Sequence, residues 1–72
     1  MITLKTAMSL CRIEDSEGVY LRPKGGSIWT AHWMTGKEIR NKLDTQAIKV
    51  TRIAPYFDYG EYDGLEFEVT GL

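Results

Sequence analysis

Glu66 and Glu68 lie two residues apart in a stretch where apolar and polar residues alternate. A strand would set both carboxylates on one face, roughly 6.6–6.8 Å apart at about 3.3–3.4 Å rise per residue. That separation falls within the range of the paired acids of glycoside hydrolysis. A sheet built from 72 residues offers no deep cleft for a sugar, and solvated surface charge is the plainer account. His32 is the only histidine, and Ser9, Cys11 and Ser27 have no spacing that sets a nucleophile beside it. Asp58, Glu61 and Asp63 crowd one segment where a hard cation would find oxygen ligands, but their spacing departs from that of an EF-hand loop. Lys24-Gly25-Gly26 lacks every other residue of a phosphate-binding loop and reads as a turn. The expectation is a protein with no catalytic residues, no metal and no cofactor.

Charge is distributed unevenly. From Phe57 to Leu72 there are five acids (Asp58, Glu61, Asp63, Glu66, Glu68) and no Lys or Arg. From Leu21 to Arg52 there are seven cations against two acids, Glu38 and Asp44. The formal net charge is only −1, so the segregation carries the information: a surface of one sign recognises a partner. Tyr56, Tyr59 and Tyr62 are interleaved with Asp58, Glu61 and Asp63. Tyrosine gives contact area at low entropic cost, and acids around it steer a basic partner. Tyr56, Asp58, Tyr59, Glu61, Tyr62, Asp63, Glu66 and Glu68 are the expected contact surface for a protein with a basic face. Lys37, Arg40 and Lys42, with Trp29 and Trp33 as stacking platforms, form a second candidate face, for nucleic acid. A pI of about 5.7 argues against it, and the two tryptophans are equally candidates for the core.

The elements that must position these residues can be read locally. Leu4, Ala7, Met8 and Cys11 fall on one face of a short helix with Thr3 as its N-cap. A polar turn from Glu14 to Gly18 leads to a strand carrying Val19 and Leu21, stopped by Pro23. Pro23-Lys24-Gly25-Gly26 turns the chain into a second strand, Ile28 to Trp33. Thr35-Gly36-Lys37-Glu38 is a capping box, and Met34 with Ile39 can staple the entry to the helix that it opens. That helix is expected to end between Asp44 and Gln46. Ala47 to Phe57 is β-rich, but its alternation slips at Thr51-Arg52-Ile53 and Pro55 cannot donate to a ladder, as at a bulge or an edge. Asp58 to Gly64 is expected to turn. The last strand should point Leu65, Phe67 and Val69 inward, and Glu66, Glu68 and Thr70 to water. The predicted fold is α+β in the order α-β-β-α-β-β: a four-stranded antiparallel sheet with both short helices on one face.

Composition fits one soluble domain, residues 1–72, with 43% hydrophobic and 26% charged residues. Lys5 interrupts the apolar start, so no signal peptide is expected, and no apolar run reaches the length of a membrane span. Cys11 is the only cysteine, which excludes an internal disulfide and suggests the cytosol.

The short N-terminal helix Thr3-Leu4-Lys5-Thr6-Ala7-Met8-Ser9-Leu10-Cys11, followed by a hairpin, a capped helix and a last hairpin, resembles small proteins carried by bacterial phages and mobile elements. The resemblance lies in the order of elements across nearly the whole chain. It implies a non-enzymatic accessory role, and proteins of this size and kind include anti-CRISPR inhibitors of host defence. The expected function is a cytoplasmic protein-binding module that occupies the basic groove of a nucleic-acid-handling complex. The alternatives are direct nucleic-acid binding and a homodimer that pairs at the strand marked by Pro55.

Overall fold

A computed structural model describes residues 1–27 and 30–72. Along the chain run β1 (Ile2–Thr3), α1 (Leu4–Leu10), β2 (Gly18–Pro23), β3 (His32–Thr35), α2 (Gly36–Lys42), β4 (Lys49–Asp58) and β5 (Glu61–Thr70). Among the described residues the strands make one five-stranded sheet in the order β1-β4-β5-β2-β3.

The α+β class and the two helices match the expectation; the sheet differs in two ways. Ile2 and Thr3 add a fifth strand, pairing antiparallel with Val50 and Lys49. Two residues are too short a stretch for alternation to be read. The two hairpins, β2–β3 and β4–β5, also join through a parallel pair, with Tyr20 beside Glu66 and Leu21 beside Phe67. Alternation fixes which residues share a face and is silent on the direction of the neighbouring strand.

Both helices contribute to one core. Leu4, Ala7 and Met8 of α1 and Ile39 of α2 are buried with Val19, Leu21, Val50, Phe67 and Val69 from three strands. Thr3 caps α1 by accepting from the backbone N–H of Thr6. At the other end Cys11 is the C-cap, and the Arg12 and Ile13 N–H groups donate back to Ser9 and Met8. This closing motif requires a left-handed residue, and Arg12 supplies it at φ 53°.

Thr35 and Glu38 form the predicted capping box in both directions. α2 ends at Lys42, short of the Asp44–Gln46 expected, because Leu43 is extended and closes the helix as its C-cap. β3 begins at His32, later than predicted; Ile28 and Trp29 lie outside the described residues. The slip at Thr51 is a break in register between Val50 and Arg52. The expected turn from Asp58 to Gly64 is much shorter. β4 runs through Asp58 and β5 starts at Glu61, leaving Tyr59 and Gly60 as the whole loop.

Candidate partner-binding surface

Ten residues at about 3.3 Å each span about 33 Å, and the longest dimension of the molecule is 32 Å. The β4–β5 hairpin therefore sets its length. β2 accompanies β5 only from Glu66 to Val69, and β1 accompanies β4 only at Lys49 and Val50. The distal half of the hairpin stands beyond both as an arm.

Tyr59 and Gly60 form the tip, with φ values of 50° and 81°. A two-residue loop with positive φ at both positions matches the right-handed twist of the strands that it joins. Tyr59 is 100% exposed there. Asp58 and Glu61 face each other directly across the strands, and like charges in that relation repel. Behind them Phe57 and Tyr62 meet edge to face, centroids 6.2 Å apart at 76°, yet remain 52% and 63% exposed. They share the face that carries the core further along the sheet, and Ile53 continues the strip at 40% exposure.

The opposite face anchors the arm. Tyr56 stacks on Tyr20 of β2 with centroids 3.7 Å apart and planes 13° from parallel. The Tyr20 hydroxyl donates to Asp63 Oδ2 at 2.5 Å. That bond, with desolvation and the Asp63 charge behind it, pushes the Tyr20 phenol up to about 12. Asp63 sits where the register shifts beyond Tyr56.

Six of the eight predicted contact residues thus share one arm: Tyr56, Asp58, Tyr59, Glu61, Tyr62 and Asp63. The last two do not. Glu66 and Glu68 were expected to face water, but they lie on a helix-free face that is itself partly covered. Glu66 bonds Arg22 Nη2 at 2.6 Å, with side chains only 9% and 19% exposed. Glu68 accepts from the Thr51 hydroxyl at 2.8 Å and lies 3.8 Å from the same guanidinium. The physical reason is the parallel neighbour, which places Tyr20 and Arg22 of β2 beside both acids. Arg22 Nε is buried with no partner among the described residues.

Sequence reasoning missed Phe57, Ile53 and the Tyr20 anchor. A two-residue turn at Tyr59-Gly60 sets Phe57 opposite Tyr62, but Tyr-Gly lacks the Asn or Asp that marks such a turn in a sequence.

Two cations of the second helix have acidic neighbours. Arg40 Nη1 holds Asp15 at 2.7 Å and its other nitrogen donates to the Ile13 carbonyl. Lys42 lies 3.8 Å from Glu38, and Lys37 is exposed. Trp33 is not a core residue: it is 53% exposed and covers Gly18, where a Cβ would collide with its ring. His32 is exposed. A groove of about 510 Å³ at the end of α1 is bordered by Lys5, Arg12, Thr45 and Arg40, and no residue of the arm lines it. Among the described residues no group of three His, Cys, Asp or Glu is placed to hold a metal ion, and no helix is long and apolar enough to cross a membrane. No protein-family model, curated protein or solved structure matches this chain, so no functional residue is carried onto it from a relative.

Proposed function

We propose that this protein is a non-catalytic binding module that presents its β4–β5 arm to a protein partner with a basic surface. One observation carries the reading. Asp58 and Glu61 repel each other across the strands while flanking a fully exposed tyrosine in a left-handed conformation. The like-charge pair and the left-handed residue cost stability in the free chain, and a partner's cation over Asp58 and Glu61 relieves the first while its pocket uses the exposed ring. Phe57 and Tyr62 add apolar area just behind, in the arrangement of aromatic anchors rimmed by charge that dominates protein recognition.

A partner whose basic surface ordinarily holds nucleic acid is the class we favour, with the acids of the arm standing in for phosphates. That is the role of an anti-CRISPR-like inhibitor carried by a phage or mobile element, acting in the cytoplasm, where the single cysteine Cys11 stays reduced. Glu66 and Glu68, engaged by Arg22 and Thr51, are left out of the contact surface. Direct nucleic-acid binding through α2 is disfavoured by the acids already paired with Arg40 and Lys42.

The test is capture from nuclease-treated bacterial lysate, with wild type beside Tyr59→Ala and Glu61→Lys, each shown folded by circular dichroism. A nucleic-acid-handling protein retained by wild type and lost by both variants is the expected result. Equal retention by all three removes the arm from the contact.

A further inference from the structure

A second edge of the sheet is open. From Thr51 to Asp58, the side of β4 away from β5 carries no strand among the described residues. This stretch is bounded by β1 at one end and by the Tyr59–Gly60 turn at the other. Its sequence, Arg52-Ile53-Ala54-Pro55-Tyr56-Phe57-Asp58, is complementary to itself when reversed. Pro55 is the midpoint. Two positions to either side stand the exposed apolar residues Ile53 and Phe57. Three positions to either side stand Arg52 and Asp58, of opposite sign. Arg52 is exposed and forms no ion pair among the described residues.

We propose that two copies of this chain pair antiparallel along β4 about a twofold axis at Pro55. In that register Arg52 faces Asp58 of the second copy at both ends, Ile53 faces Phe57, and Ala54 faces Tyr56. Faces also agree, since Arg52, Ala54, Tyr56 and Asp58 lie on the helix-free side and Ile53, Pro55 and Phe57 on the core side. A slip of one pairing step sets Arg52 against Tyr56 in one direction. In the other it sets Arg52 against Gly60, past the end of the strand. Opposite charges therefore select this register.

Two features oppose edge pairing in general: Pro55 and the irregularity at Thr51. Here Thr51 lies outside the paired stretch, and Pro55 falls on the axis opposite its own copy, so that the loss of donors is confined to one central pair and the ladder bonds fall on either side of it. The contact is isologous and stops at two chains. With a short ladder and few donors it is a weak dimer. It goes beyond the partner contact proposed above: Tyr59 and Glu61 stay outside the ladder, while Asp58 and Phe57 belong to both surfaces, so that the dimer and the partner complex compete for them.

Sedimentation equilibrium over a wide concentration range tests it. The wild-type mass should rise from 8.2 kDa toward twice that value. Arg52→Asp and Asp58→Arg should each stay monomeric, because each sets like charges across both ends. Mixed in equal amounts they should dimerise, each supplying the sign that the other lacks. If either unfolds by circular dichroism, Arg52→Gln and Asp58→Asn take their place and should each weaken the dimer about tenfold. A wild type that is monomeric up to millimolar concentration overturns the proposal. So does a dimer that survives the single charge changes intact, or a mixture of the reversed variants that stays monomeric.

Discussion

Tyr59 holds a backbone conformation, φ 50°, in which a Cβ crowds the following carbonyl and which asparagine or glycine tolerates better. Tyr59→Asn should therefore raise stability in urea by about 1 kcal/mol while weakening capture of the partner, a trade-off expected where strain is kept for contact. Tyr20 gives a prediction of opposite kind. Its phenol is pushed up to about 12, first by donating to Asp63, so the folded state favours the neutral form. That contribution is fully present below the ordinary value of 10.0 and is lost as pH rises toward about 12. Tyr20→Phe should flatten the fall in stability over this window, measured by urea titration at stepped alkaline pH. Glu66 shows where a single position defeats sequence reading. Alternation put it correctly on the face away from Phe67, but its burial depends on Arg22, which the parallel neighbour brings alongside. Glu66→Lys should cost about 3 kcal/mol or more, because it leaves a guanidinium of low exposure facing a like charge.

At the level of elements, the start of the second helix was legible to the residue, though not its end, because that start is written in side chains that bond the local backbone. Thr35 accepts from Glu38 N–H at 3.2 Å and Glu38 accepts from Thr35 N–H at the same distance. Thr35→Ala should cost about 1 kcal/mol, read from the urea midpoint. The bonds from Thr35 hold the Glu38 carboxyl below its ordinary value of 4.5. Its stabilising effect is thus present above that value and lost as pH falls below it, and Glu38→Gln should show a shallower acid limb than wild type. Gly36 follows the cap for a reason that the sequence hides: a Cβ there would collide with the Glu14 carbonyl. The first turn of α2 is packed against the Glu14–Glu17 bend, where Gly36 N–H donates to the Glu17 carbonyl at 2.7 Å. The strands were legible as to face and less so as to length. β5 begins four residues earlier than its clean alternation, because Glu61 to Gly64 carries no inward apolar series to mark it as strand.

Across the whole molecule, the acidic segment and the basic segment remain distinct, but each partly spends its charge on the fold, as Arg22 with Glu66 and Arg40 with Asp15 demonstrate. What is left for a partner is concentrated at the end of the arm. Association driven by those acids should slow steeply as ionic strength rises through the physiological range, where the Debye length is about 8 Å; stopped-flow or surface-binding on-rates at stepped salt would measure it. The parallel pair at the centre of the sheet carries a further consequence, for the order of folding. Each hairpin closes between near neighbours in sequence, whereas Tyr20 and Glu66 lie nearly two thirds of the chain apart. Bringing β2 against β5, like bringing β1 against β4, closes a long loop, and it completes the core through Leu21 and Phe67. The two hairpins are thus expected to close first, and the long-range seams, β2 on β5 and β1 on β4, to form last as the chain becomes native.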